Sequence, residues 1–162
     1  MSAVELRGLE ETSARLDAYP AALSAALAAK ATELAAALAD LVKNDKLAGA
    51  VLNVSSGALQ ASIVADVSID GDGVHATVGS TGDVKYAAIQ EYGGRTGAHE
   101  ILPSKAQALA FMVGGSLRFS RKIEHPGSMI PERSYLRSSL DDMNGDITSA
   151  LAEVAAEVLE RA

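Results

Sequence analysis

Apolar positions along this chain follow two rhythms, a helical one at both ends and a two-fold one in the middle. Near the start, Val4, Leu6, Leu9 and Leu16 make a short, imperfect helical stripe. Pro20 then suits the first turn of a second helix, where a missing N–H costs nothing, so a break is predicted there. Leu23, Leu27, Leu34, Leu38 and Leu41 step by four, seven, four and three residues, which is one face of an α-helix. Ala fills most positions between them, so the helix can pack closely on more than one side. Asn44-Asp45-Lys46 and Gly49 mark its end.

The period then becomes two. Ile63, Ala65, Val67 and Ile69 alternate with Val64, Asp66, Ser68 and Asp70, as in a half-buried strand. Gly71-Asp72-Gly73 turns the chain, and Val74, Ala76 and Val78 alternate with His75 and Thr77 on the way back. A short helix is predicted over 83–92, with Tyr86, Ile89 and Tyr92 on one face, and Gly93-Gly94 ends it by permitting positive φ. After a polar loop to Glu100 and Pro103, a second hairpin is predicted over 106–123. Leu109, Phe111 and Val113 alternate, Gly114-Gly115 turns, and Leu117, Phe119 and Ile123 return. Those six are expected in the core, with Arg118, Ser120 and Lys122 facing the other way.

Residues 122–133 read as a loop around Pro126, Gly127 and Pro131. A helix follows from about Ser134, its stripe made of Leu136, Leu140, Met143, Ile147, Leu151, Val154 and Val158. Asn144-Gly145 is expected to weaken or kink it. The succession predicts an α+β fold, an antiparallel β-sheet of two hairpins packed against N-terminal and long C-terminal helices. It is read as a single domain over 1–162, with N-terminal helices over 1–45 and the α+β core over 50–162. No internal repeat and no low-complexity linker interrupts it.

Composition sharpens the picture in three ways. Hydrophobic residues make up 48% of the 162, but aromatics only 4%, so Ala, Leu and Val carry the apolar mass and helices dominate the volume. There is no cysteine, hence no disulfide, thiolate nucleophile or Cys-based metal site. The opening Met1-Ser2-Ala3-Val4-Glu5 lacks the basic and apolar runs of a signal peptide. Lys30, Glu33 and Asp40 interrupt the Ala-rich stretch that would otherwise suggest a membrane span. The chain reads as soluble and non-secreted, with no membrane partner.

The net charge of −7 opposes a nucleic-acid binder that works by neutralising phosphates. The charge is unevenly placed. Residues 85–137 hold eight basic and four acidic side chains, a local balance of +4 that leaves −11 on the rest. One reading is that Arg and Lys line solvated strand faces. The other is complementarity between neighbouring subunits, where opposite patches fix register.

The chemistry of catalysis is missing. Four residues after His99-Glu100 stands Pro103, so a zincin pair is absent and its helix blocked. His75 sits on an exposed strand face, and His125 precedes Pro126-Gly127 in a loop. Asp70-Gly71-Asp72-Gly73 has no closing glutamate for a calcium loop, and Asp and Gly at a hairpin turn explain it. The 79–85 segment lacks the spacing and the Lys-Ser/Thr pair of a phosphate loop. No catalytic, cofactor-binding or metal residue is predicted, and the chain does not read as an enzyme.

Two segments stand out instead: Tyr86-Ala-Ala-Ile-Gln-Glu91-Tyr92-Gly93-Gly94, and His125-Pro126-Gly127 followed by Pro131-Glu132-Arg133-Ser134-Tyr135-Leu136-Arg137. With Ser56-Gly57-Ala58-Leu59-Gln60-Ala61-Ser62-Ile63 before the first hairpin, their order and spacing resemble the tail-completion or head–tail joining proteins of tailed bacteriophages, the lambda minor tail protein Z type among them. The resemblance covers roughly residues 50–162. It implies a virion structural protein of the neck, assembled in the host cytoplasm. Such a protein forms a ring, hexameric at the tail end, that completes or terminates the tail and joins it to the filled head.

The partners implied are other copies of itself and the neighbouring neck and tail-tube proteins, with DNA only as passing cargo. Like-charge repulsion from the acidic remainder would keep that DNA from sticking. For Tyr86, Glu91, Tyr92, Arg118, Lys122, Arg133, Tyr135 and Arg137 two readings are open. One is fold, with Tyr rings covering the sheet edge and Tyr135 and Leu136 anchoring the last helix. The other is subunit interface, where Tyr and Arg are favoured. The alternative function is a non-enzymatic protein-binding or regulatory module unrelated to virions.

Overall fold

A computed structural model describes residues 9–104 and 106–161. The chain divides into two compact units. One joins the N-terminal part to Ala87 with the segment from Ser134 onward, and the other is Ala88–Arg133.

In the first unit, α1 runs unbroken over Leu9–Asn44 with Pro20 inside it. The predicted break at Pro20 is therefore corrected. Pro20 is exposed, and Ala and Leu on both sides favour helix strongly enough to carry it past one lost hydrogen bond. The expected stripe residues Val4 and Leu6 lie outside the described residues. The buried line of α1 is Ala31, Ala35, Ala39 and Val42, while the leucines beside it are only half-buried. Small side chains let neighbouring elements approach the helix axis along that line. By length and composition alone α1 could cross a membrane, a test that a core helix also passes.

After α1, Asp45 leads into a 3-10 turn at Lys46–Ala48. A short helix α2, Ala58–Ser62, delivers the chain to the first hairpin, β1 (Ile63–Asp70) and β2 (Gly73–Ser80). The pairing runs from Ile63↔Ser80 to Asp70↔Gly73, so the turn proper is Gly71-Asp72. Asp70 Oδ1 accepts the Asp72 N–H at 2.8 Å and meets His75 Nε2 at 3.2 Å, tying the turn down. The Asp72 N–H, with help from His75, holds the Asp70 carboxyl below the usual carboxylate range.

The last helix, α4 (Leu136–Arg161), runs through Asn144-Gly145 without a break. Between them α1, α4 and the root of the hairpin enclose the core of this unit: Ala39, Val42, Leu47, Ile63 and Tyr135, with Leu59, Val78 and Leu136 packed against it. Ser139 is fully buried and donates to the Tyr135 carbonyl at 2.7 Å. Leu140, placed in the stripe from sequence, is 48% exposed. Lys46 Nζ reaches Asp142 on α4 at 2.6 Å. On α1, the Glu33 carboxylate at 2.7 Å raises the Lys30 ammonium above its ordinary value, and Glu153 and Glu157 of α4 add to it.

The second unit is built from short strands. The second hairpin is β5 (Leu109–Val113) and β6 (Ser116–Ser120). Around it, β3 (Gly94–Arg95) pairs with β8 (Met129–Ile130), and β4 (His99–Ile101) pairs with β7 (Ile123–His125). The α+β class stands. The single sheet of two hairpins does not, because the described strands form four separate two-stranded sheets. The loops expected at 95–100 and 122–133 contain β4, β7 and β8, which are too short to show alternation.

Candidate functional site

The two sequence segments singled out above fold against each other. Helix α3 (Ala87–Tyr92) ends at Gly93, whose φ of +68° is left-handed. A Cβ there would stand 2.7 Å from the Glu132 backbone nitrogen, so only glycine fits the approach. One residue on, β3 pairs with β8, and the Arg133 N–H donates to the Gln90 carbonyl at 2.9 Å. Thr96 and Ser128 clasp the same strip, with Thr96 N–H to the Ser128 carbonyl at 2.9 Å and Ser128 N–H to Thr96 Oγ1 at 2.7 Å. Gly127 lies so close to Thr96 that any Cβ would collide with its carbonyl oxygen. His125 Nδ1 accepts the Gly127 N–H at 3.1 Å and thereby shapes the Pro126-Gly127 turn. Its ring stacks on His99, its cross-strand partner, with centroids 5.0 Å apart.

The eight candidate residues separate by burial. Tyr135 is 1% exposed and donates its hydroxyl to the Ala87 carbonyl at 3.3 Å, and Glu91 is 2% exposed. Neither offers surface from a single chain. Tyr135 and Leu136 fasten the start of α4 to the core of the first unit. Tyr86 and Tyr92 are 44% and 64% exposed, so neither ring is buried against a sheet edge. Arg118, Arg133 and Arg137 are exposed. Lys122 is ion-paired with Glu100 at 2.6 Å and Glu124 at 3.5 Å, an internal tie between neighbouring strands.

The second hairpin overturns the expected core. Its two-residue turn sets Met112 opposite Leu117, Phe111 opposite Arg118 and Ala110 opposite Phe119. Directly opposed residues share a face, so Leu117 and Phe119 join Met112 and Ala110 rather than Leu109 and Phe111. That face is open: Met112 is 64%, Leu117 56% and Phe119 69% exposed, and Val113 on the other face is 56% exposed. Leu109, Phe111 and Ile123 are half-buried. Arg118 is exposed as expected, but it shares its face with Phe111. Counting outward from Gly114-Gly115 was the signal that could have found the Met112–Leu117–Phe119 face.

The first hairpin has a similar imbalance. Ile63 at its root is 1% exposed, while Ile69 on the same face near the tip is 57% exposed. Among the described residues, no group of three or more His, Cys, Asp or Glu is placed to hold a metal ion. What the surface offers is two partly uncovered apolar hairpin faces. No protein-family model matches the chain, and no curated protein or solved structure is significantly similar to it.

Proposed function

We propose that this chain is a structural protein of the phage neck, a subunit of an oligomeric ring that completes the tail and joins it to the DNA-filled head. The observation that carries the reading is the joint between the Tyr86–Gly94 and His125–Arg137 segments. Residues about 35 positions apart in sequence are paired strand to strand, and Gly93 and Gly127 sit where no side chain fits. Segments that behave as one joint account for the ordered motif set on which the resemblance rests.

Two further features support it. Exposed Met112, Leu117 and Phe119 need a cover that a lone chain leaves undone. The charge also divides unevenly: residues 88–133 carry six basic and four acidic side chains, +2, which leaves −9 on the other unit of this −7 chain. In this reading the chain catalyses nothing and DNA passes it as cargo.

The test is deletion of the coding sequence from the phage genome that carries it, followed by electron microscopy of the lysate. Filled heads beside separate finished tails are the expected outcome for a joining ring, and tails of uncontrolled length for a terminator. Intact virions at wild-type yield would refute the proposal and leave a binding module unrelated to virions.

A further inference from the structure

We propose that the stacked imidazoles of His99 and His125 form an acid-sensitive latch, which seats the Pro126-Gly127 turn on Thr96 when neutral and releases it when protonated. The inference concerns the joint between the two motif segments and holds whether or not the chain builds a neck ring. Its chemistry starts at His125, half-buried at the end of β7. Nδ1 of that ring accepts the Gly127 N–H at 3.1 Å, so in this arrangement it carries no proton. An imidazolium has two N–H donors and no acceptor. Protonating His125 therefore sets donor against donor and removes the contact that shapes the turn.

His99 adds a second, coupled charge. Its Nδ1 lies 3.2 Å from the Gly97 carbonyl, which can only accept, so Nδ1 bears the hydrogen and Nε2 is left to take up a proton. The two residues are paired across β4 and β7, and their rings stack with centroids 5.0 Å apart. Two imidazolium rings at that separation repel each other. Among the described residues neither ring is ion-paired. Glu100 and Glu124, the carboxylates next in sequence, alternate to the opposite face of the β4–β7 pair, and both are tied to Lys122. Arg95 is the one charge on β3 or β8, and it is itself cationic.

The seat of the turn has no slack. Gly127 has a φ of +87° and backs onto the Thr96 carbonyl with no space for a side chain. One residue on, Ser128 and Thr96 exchange the two bonds that flank the β3–β8 pairing. A turn that shifts takes that clasp with it, so release at His125 also frees the amides of Thr96 and Ser128. Imidazole is the side chain that ordinarily changes charge between about pH 5 and 8, which sets the range to search.

The test is amide hydrogen exchange by NMR on the full-length chain at about pH 7.5 and about pH 5, either side of that range, corrected for the intrinsic pH dependence of exchange. Protection at Thr96, Gly127 and Ser128 should fall about fivefold in acid, the worth of one ordinary hydrogen bond, while Met112 in the neighbouring hairpin keeps its protection. His125→Asn supplies a side-chain oxygen that accepts the N–H two residues on and does not titrate, so it should stay protected at both pH values. His125→Ala, with no acceptor, should show the acid behaviour at both, and His99→Asn should shrink the acid loss by removing the second charge. Unchanged protection in the parent chain would overturn the inference. So would a His125→Asn protein that loses protection in acid as the parent does, since the cause would then lie with Glu100, Glu124 and Lys122. Loss at Met112 in step with Gly127 would also overturn it, as unfolding of the whole unit.

Discussion

Ile63 and Ile69 are the same residue on the same face of β1, one 1% and the other 57% exposed, so replacing each with Ala isolates burial from everything else. The change removes three carbons, each contributing about 0.8 kcal/mol when fully buried. At Ile63 that is about 2.4 kcal/mol, and the cavity left beside Val42, Leu47 and Tyr135 raises the expected loss to about 2.5–4 kcal/mol. At Ile69 the covered fraction scales the same quantity to about 1 kcal/mol. Helices α1 and α4 belong to the unit that holds both residues, so urea unfolding followed by far-UV circular dichroism reads the loss directly. In a chain of this size each kcal/mol moves the melting temperature by roughly 2–4 °C. Equal costs at the two sites, or a cost below about 1 kcal/mol at Ile63, would refute the placement of the core at the hairpin root.

Gly93→Ala combines a left-handed φ of +68° with a Cβ 2.7 Å from the Glu132 nitrogen, and should cost more than the ~1–2 kcal/mol of the backbone conformation alone; an unchanged urea midpoint would refute the joint. Ser139→Val places extra bulk at a fully buried site and removes a bond to the Tyr135 carbonyl, for a loss of about 1–3 kcal/mol, whereas Leu140→Ala, 48% exposed next door, should cost well under that in the same melts. Asp70 has a lowered folded-state pKa, so its contribution is complete above the ordinary carboxylate range and is lost as pH falls through the lowered value. Asp70→Asn should therefore flatten the acid limb of a stability–pH profile, and an unchanged limb would refute the Asp72 and His75 contacts. Lys30 is raised, so its contribution is complete below 10.5 and is lost as pH rises through the folded value; Glu33→Gln should weaken that alkaline dependence, leaving the smaller part due to Glu153 and Glu157.

The legible parts of this fold were those with a long period. Both hairpin turns, the C-terminal helix and the α+β class follow from alternation and from the four-and-three steps of α4. Strands β3, β4, β7 and β8 were not legible, since two or three residues define no period and their pairing is set by segments distant in the chain. Pro20 misled because a local stop signal was weighed without the propensity of the Ala and Leu around it. At the candidate site, the sequence marked Gly93 as a helix stop and Gly127 as part of a loop, but not that the two segments pair. Nor did it reveal that Tyr135 and Glu91 are buried while Tyr86 and Tyr92 are exposed.

By itself the sequence determined which residues of one helix or one strand share a face, because side-chain direction there is fixed by backbone geometry, while the pairing register decided which faces of β5 and β6 coincide. The sequence also determined the absence of thiol chemistry and the uneven charge, which are counts. Only the tertiary structure decided which faces are covered. The leucine stripe of α1 ended up beside the buried alanine line, and Ile63 and Ile69 parted company on one strand. Burial depends on what other elements arrive, and an apolar face left without a neighbour reads in sequence like one that has found its partner.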